Sequence, residues 1–99
     1  MTTMRRPAVV VAGSLDTKGR EFEFVVRLLE RWGVGVILID FGVLDDPSLR
    51  PRISSREVAE AGQGDLDRLR ADKDKTEAMR VMQRGLARVV ERLAAEGRV

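Results

Sequence analysis

The protein has 99 residues, a formal net charge of +2, and neither cysteine nor histidine. These absences exclude disulfides, thiolate metal sites and an imidazole general base, so a hard cation such as magnesium is the one kind of metal expected. The 18 basic and 16 acidic residues are interleaved, which argues against a dedicated nucleic-acid binder, whose basic residues usually cluster.

The first predicted element is a strand over residues 8–12, which are all apolar and follow Pro7. An unbroken apolar run is typical of a parallel strand that is covered on both faces. Arg5 and Arg6 precede the run, but it stops at Gly13 and is too short for a signal peptide. No stretch approaches the length of a transmembrane helix, and a cytoplasmic location is the default expectation.

The segment after this strand, residues 13–21 (GSLDTKGRE), brings two hydroxyls, a carboxylate and an amine into one turn before a helix. Ligands of open α/β sheets bind at the carboxyl ends of strands, and a helix N-terminus attracts anions. The spacing of a Walker loop or of a dinucleotide fingerprint is absent. Two interpretations stay open: a phosphate site, or a plain connection in which Asp16 or Thr17 caps the helix and Gly13 permits a tight turn.

A helix over residues 19–32 and a second strand over residues 34–41 are predicted next. Apolar residues from Phe22 to Leu29 recur at helical spacing, and Gly33 is expected just beyond the helix end. The second strand is again almost wholly apolar. A strand, a helix and a strand with tight connections predict a right-handed crossover and parallel pairing.

The middle of the chain predicts a loop followed by a short helix. Residues 43–52 contain two prolines and two aspartates and are typical of a loop. Ser54 and Glu57 have the spacing of a capping box, which predicts a helix that begins after Ser54 and is closed by Gly62.

Residues 63–75 are polar and predict a mobile loop with one helical turn at 66–69. A helix over residues 75–96 is the clearest element, because its apolar residues alternate spacings of three and four: Met79, Met82, Leu86, Val89 and Leu93. Gly85 lies inside this helix, where a glycine costs about 1 kcal/mol relative to alanine. We expect Gly85 to let the helix approach the sheet closely.

Another face of this helix carries a row of four arginines: Arg80, Arg84, Arg88 and Arg92. The row has two interpretations, a track for an anion or RNA, and a solvated face whose charges are offset by neighbouring glutamates. Gly97 is expected to end the helix, and Val99 to begin another strand. Because two strands make a poor sheet, we expect the chain to be part of a longer domain or to be completed by a second chain.

Four segments, in order along nearly the whole chain, resemble the ATP-binding family named for the tomato mosaic virus resistance protein. Residues 13–21 resemble its "GT-x-DTK-x-x-E" signature, and residues 40–42 (DFG) resemble its "DVG" or "DVS". Residues 53–59 resemble its "I-x-x-x-E-V-A" helix, and residues 73–87 its "x-D-R-G-x-A…GLA" helix. Ser14 replaces the commoner threonine.

The resemblance implies an α/β fold, a partial Rossmann-like three-layer unit with parallel strands, together with ATP binding and self-association. Members of that family, mostly uncharacterised microbial proteins, continue into a third strand, a "GG-x-GG" loop and a C-terminal domain. None of these is present in residues 1–99, which the resemblance therefore implies to be the N-terminal part of an ATP-binding subdomain.

The leading hypothesis is that the sheet's carboxyl edge binds ATP, with magnesium as the metal that would accompany it. Amides from Asp16 to Gly19 and the helix dipole are expected to hold phosphate, with Lys18 neutralising its charge. Asp40 is expected either to accept from ribose hydroxyls or to cap the turn that follows it. The predicted cofactor-binding residues are Gly13, Ser14, Asp16, Thr17, Lys18, Asp40 and Gly42.

The competing hypothesis is a non-catalytic module that forms a homo-oligomer or docks a C-terminal domain through its incomplete sheet edge and the exposed side of the helix over residues 75–96. Membrane and nucleic-acid partners are not expected. The sequence shows no evident pair of nucleophile and base, so catalysis by this chain alone is not predicted.

Overall fold

The computed structural model describes residues 7–99, so Arg5 and Arg6 lie outside the described residues. Within that range the chain forms an α/β unit with a two-stranded sheet and four helices. The elements in chain order are β1 (Val9–Gly13), α1 (Leu15–Arg31), β2 (Val36–Asp40), α2 (Ser55–Ala61), α3 (Leu66–Asp72) and α4 (Lys75–Ala95). None of the helices in this range has the length and apolarity needed to cross a membrane.

The two strands pair in parallel, as predicted, with α1 as the crossover between them. The register runs from Val9 opposite Val36 to Gly13 opposite Asp40. Both strands therefore end at the same edge of the sheet. The Phe41 amide donates to the Gly13 carbonyl at 3.0 Å and closes the ladder there.

The core lies on one face of the sheet, against α2, α3 and α4. Ile37 and Ile39 belong to this buried cluster, whereas Leu38 is buried outside it, as the alternation of side chains along a strand requires. Helix α1 contacts both strands and covers the opposite face. The arrangement confirms the partial Rossmann-like α/β unit.

Helix α1 begins at Leu15, four residues before the predicted start, so most of the predicted turn is helical. Its N-cap is Ser14, and neither Asp16 nor Thr17 has that role. Lys18 departs from helical geometry, with φ −121° and ψ 24°, and interrupts the helix after its first turn. Gly33 follows the helix end with φ +77°, as expected.

Helix α2 has the predicted capping box. The Glu57 amide donates to Ser54 Oγ at 3.2 Å, and the Ser54 amide donates to Glu57 Oε1 at 3.1 Å. The helical turn predicted at residues 66–69 is confirmed, but the helix runs on to Asp72, where a mobile loop was predicted. The segment contains α3, because the Asp65 carboxylate accepts the Asp67 amide at 3.0 Å and caps two full turns.

Helix α4 has the predicted extent but a different contact surface. Met79, expected in the core, is 62% exposed. Gly85 approaches α2 and not the sheet, because a Cβ at this position would overlap the Val58 carbonyl oxygen. The core positions of the helix are Ala78, Val81, Met82, Gly85, Val89 and Leu93.

Two members of the arginine row donate hydrogen bonds to carbonyls at the C-terminal end of α2. Neither an anion track nor a solvated face includes this role. Arg84 donates through Nε at 2.8 Å and Nη2 at 2.6 Å to the Gly62 carbonyl. Arg88 donates through Nη1 to the Ala61 carbonyl at 2.8 Å. Cationic groups at a helix C-terminus satisfy carbonyls that the helix leaves free.

The end of the described chain lies beside β1. Gly97 ends α4 with φ +71°, as predicted. The Ala8 amide then donates to the Arg98 carbonyl at 2.8 Å, and Val99 packs against the core cluster. Residues 98 and 99 are not assigned to a strand, so the expectation that Val99 begins another strand stays a prediction.

Candidate functional site

The fold brings the predicted site residues to one edge of the sheet. Gly13 and Asp40 are the last residues of β1 and β2 and are register partners. The others flank these two strand ends: Ser14, Asp16, Thr17, Lys18 and Gly42. The carboxyl edge of a parallel sheet is where open α/β folds bind their ligands.

Asp40 is fully buried at this edge. Its Oδ1 accepts from the Leu15 amide at 3.1 Å and from the Gly42 amide at 2.8 Å. The Leu15 bond places a carboxylate on the first turn of α1, where the helix macrodipole favours negative charge. The carboxylate that caps α1 is therefore supplied by β2, 25 residues further along the chain.

Burial raises the pKa of Asp40 above its ordinary value. The hydrogen bonds from the Gly42 and Leu15 amides stabilise the charged form and oppose this rise. Asp16 repels the charge and adds to the rise in pKa, while Arg70 opposes it. Asp40 Oδ2 accepts no hydrogen bond from residues 7–99.

Asp16 joins α1 to the loop after β2. Its Oδ2 accepts from the Leu44 amide at 2.9 Å and from the Asp45 amide at 3.2 Å. Its Oδ1 lies against Gly42, where a Cβ would overlap it, and is buried without a partner among the described residues. The Asp16 and Asp40 carboxylates thus lie on either side of Gly42, which has no room for a side chain.

Thr17 and Lys18 are exposed beside these two aspartates, next to the half-buried Ser14. Their amides donate to the Ser14 carbonyl at 3.3 and 2.9 Å, and Thr17 Oγ1 donates to the same oxygen at 3.4 Å. Lys18 forms no ion pair with another residue of the range 7–99. The exposed chemistry of the turn is therefore an ammonium group and two hydroxyls, with its amides already largely engaged.

Helix α3 also contributes to this edge, which the sequence did not predict. Arg70 donates through Nε to the Val43 carbonyl at 2.8 Å and through Nη2 to Asp46 Oδ1 at 3.1 Å. These bonds hold the loop after β2, to which Asp16 also binds. A local signal for α3 existed in Asp65 followed by Leu66 and Leu69, but no local signal marked the long-range contacts of Arg70.

Asp16 and Asp40 are the only acidic side chains among the predicted site residues that could act as metal ligands. Among residues 7–99, no three Asp or Glu side chains come together in an arrangement that could hold a metal ion. A cavity of about 440 Å³ opens beside Asp40, between the loop after β2 and the start of α2.

The profile described as "Uncharacterised protein family (UPF0261) N-terminal domain" matches residues 7–99. The chain belongs to the UPF0261 family. The resemblance to the ATP-binding family of the tomato mosaic virus resistance protein is thereby wrong, because the matched family and the matched relatives are UPF0261. The expectation of a family of uncharacterised proteins is confirmed.

A UPF0261 protein of Clostridium tetani is 42% identical to this chain over 88 residues, which are 89% of this chain and 22% of that protein. UPF0261 proteins of Brucella suis and Brucella melitensis are each 32% identical over 93 residues, 94% of this chain and 22% of the relative. The chain thus spans about a fifth of the length of these curated relatives. No solved structure matches it.

Proposed function

We propose that this UPF0261 domain binds a nucleotide such as ATP at the carboxyl edge of its sheet, with the phosphates at the start of α1. The observation that carries the proposal is Lys18. It is exposed, forms no ion pair within residues 7–99, and interrupts the first turn of a helix that directly follows a parallel strand. An unpaired ammonium group at such a junction suits a phosphate.

The remaining predicted residues have supporting roles in this proposal. Ser14 and Thr17 offer hydroxyls to the phosphates. Gly13 lets α1 lie close to the strand, because a Cβ there would overlap the Phe22 ring. Asp40 and Gly42 hold the edge in shape through their hydrogen bond, and a ribose hydroxyl would have to reach Asp40 through Oδ2.

Magnesium would enter with the phosphates of ATP and not as a resident ion, since residues 7–99 show no cluster of three metal-binding side chains. Asp16 is the acidic residue of the first turn of α1, but its Oδ2 accepts two amides and its Oδ1 is buried against Gly42, so the phosphates themselves would hold such an ion. A cytoplasmic location is part of the same proposal, because ATP is abundant there.

Replacement of Lys18 by alanine is expected to weaken ATP binding by about ten- to a hundredfold, the usual effect of losing one charge-assisted contact to phosphate. The fold should be retained, because the side chain is exposed. Calorimetric titration of ATP into the full-length protein measures the change, with thermal melts to check folding.

Arg31→Ala is the matched control, because Arg31 is an exposed cation at the opposite end of α1. It should leave the affinity unchanged. If Lys18→Ala and Arg31→Ala bind ATP as tightly as the wild type, the proposed phosphate site is wrong.

The second candidate function is docking, through a homo-oligomer or through the rest of a longer protein. It is favoured by large apolar side chains that the described residues leave in solvent. Their exposed fractions are 68% for Phe24, 70% for Trp32 and 76% for Leu44. Large apolar side chains that lie in water favour association, because another protein surface can cover them.

The 99-residue chain is accordingly expected to self-associate at micromolar concentration, which sedimentation velocity measures directly. The double variant Phe24→Ser, Trp32→Ser should shift the population towards monomer, because it removes exposed apolar area from α1 and its C-cap without touching the core. A well-folded wild-type monomer at these concentrations would contradict self-association.

A further inference from the structure

An apolar cavity of about 510 Å³ lies between the loop after β2 and the N-terminal part of α4, and we call it the α4 groove. Its apolar side chains include five from these two elements: Phe41, Val43, Leu44, Met79 and Met82. Two residues of the described wall have polar side chains, Lys75 and Gln83. A cavity of this volume with an apolar lining and few polar groups is typical of small-molecule sites.

The α4 groove adjoins the proposed phosphate position at the start of α1. Leu44 lines the groove, and its amide donates to Asp16 Oδ2 at 2.9 Å. Asp16 Oδ1 lies against Gly42, whose two chain neighbours also line the groove. Since Asp16 precedes Lys18 by two residues in the first turn of α1, one ligand can contact both the groove and Lys18.

The wall of the groove leaves apolar surface in contact with water. The side chains of Leu44 and Met79 are 76% and 62% exposed, and Met82 is buried beside them. A ligand with an apolar face gains from covering this surface. Methionine side chains are unbranched and flexible, so they adapt to the shape of such a face. Of the parts of a nucleotide, the base has a flat apolar face, whereas the sugar and the phosphates are polar.

Gln83 supplies the amide group of the groove wall and is exposed. Its side chain offers a hydrogen-bond donor beside an acceptor. Adenine presents the matching pair in its amino group and N7, and glutamine recognises this edge with two hydrogen bonds. Guanine presents two acceptors at the same edge, so the amide matches it less well.

We propose that the α4 groove binds the base of the nucleotide and that Gln83 selects adenine. The inference rests on the proposed function, in which Lys18 binds the phosphates, and it adds a separate position for the base. Contacts at both ends of the ligand then determine its affinity, so the phosphates alone lack the contribution of the groove.

Calorimetric titration of the full-length protein with ATP, GTP and inorganic tripolyphosphate tests the inference. ATP should bind at least about tenfold more tightly than tripolyphosphate and about tenfold more tightly than GTP. Gln83→Ala should remove the preference for ATP over GTP and leave the affinity for tripolyphosphate unchanged. Glu91→Ala is the matched control, because Glu91 is an exposed residue of α4 outside the groove wall, and it should keep the preference.

Met79→Ser tests the apolar wall. It should weaken ATP binding by about fivefold or more without changing the affinity for tripolyphosphate, because it removes apolar surface that the base covers. Phe24→Ser is the control, since Phe24 is 68% exposed and lies on α1, outside the groove. It should bind both ligands like the wild type, and thermal melts check that both variants fold.

Equal affinities of the wild type for ATP and tripolyphosphate would overturn the base site. The phosphate site would still stand if Lys18→Ala weakened the binding of both ligands. Unchanged ATP affinity in Met79→Ser together with a lower melting temperature would also overturn the base site, because another part of the protein then covers the groove. Absence of binding by all three ligands would overturn the nucleotide proposal and this inference with it.

Discussion

Replacement of Gly85 by valine is expected to destabilise the chain by about 3 kcal/mol or more. Overpacking of a well-packed interface typically costs about 1–3 kcal/mol, and this position offers no flexible neighbour that could yield. A Cβ at Gly85 would overlap the Val58 carbonyl oxygen and would lie 3.0 Å from the Gly62 amide nitrogen. Both are backbone atoms of the α2 segment, so the two helices themselves would have to separate.

The separation would reach the proposed sites through α2. Val58 and Ala59 are buried in the same cluster as Ile37 and Ile39 of β2. Arg84 donates to the Gly62 carbonyl, and Arg88 donates to the Ala61 carbonyl. Separation of the two helices would strain both hydrogen bonds. We therefore expect the variant to lose cooperativity as well as stability.

Urea unfolding followed by circular dichroism measures the effect. Gly35→Ala is the matched control, because a Cβ at Gly35 meets Ala8 at 3.7 Å, an ordinary contact, and its backbone is not in the left-handed region. It should change the free energy of unfolding by less than about 1 kcal/mol. If the Gly85 and Gly35 variants unfold at the same urea concentration, the α2–α4 packing is not as close as described.

Local signals predicted most of the fold. Two unbroken apolar runs on either side of a helix indicated the parallel pair, and the spacing of Ser54 and Glu57 indicated α2. Gly33 and Gly97 were identified as helix ends, because few other residues adopt a positive φ at low cost.

What could not be predicted depends on residues that are distant in sequence. Helix α1 starts at Leu15 because Asp40, 25 residues later, supplies the acceptor that a local cap would have supplied. The glycine inside α4 indicated a close approach, but its neighbour is α2 and not the sheet. Which element fills the space beside a glycine is a property of the tertiary packing.

The sequence likewise predicted only part of the candidate site. Topology alone places Gly13 and Asp40 side by side, since parallel register partners end at one edge. In each of the two aspartates, one carboxylate oxygen accepts two backbone amides and the other has no partner among the described residues. The spacing of the residues in the sequence could not predict this arrangement. It follows from the path of the loop after β2, whose Leu44 and Asp45 amides reach Asp16.

Replacement of Asp40 by alanine is expected to cost about 3 kcal/mol of folding free energy at neutral pH. The change orphans the Leu15 and Gly42 amides, which Asp40 Oδ1 accepts at 3.1 and 2.8 Å. Leaving a buried donor unsatisfied costs about 1–3 kcal/mol for each group. Asp40→Asn keeps an acceptor for these amides and should cost less than the alanine variant.

The cost of Asp40→Ala is expected to grow as the pH is lowered from 7 towards 4. Burial raises the pKa of Asp40 in the folded chain above the ordinary value of 3.8, so the folded state binds this proton at a higher pH than the unfolded state does. The stability that comes from its protonation is fully present below the unfolded pKa. It is lost as the pH rises through the folded pKa. Alanine cannot bind the proton, so the variant does not gain this stability at acidic pH.

Urea unfolding of the wild type and of Asp40→Ala between pH 7 and pH 3 measures the difference directly. Asp67→Asn gives a control of opposite sign, because the hydrogen bond from Arg56 lowers the pKa of Asp67. Stability linked to that group is present above the unfolded pKa and is lost as the pH falls through the folded one. As the pH falls, the difference in unfolding free energy between the wild type and Asp40→Ala should therefore increase. The corresponding difference for Asp67→Asn should decrease. Parallel curves for wild type and Asp40→Ala would show that the Asp40 carboxyl is not buried at the sheet edge.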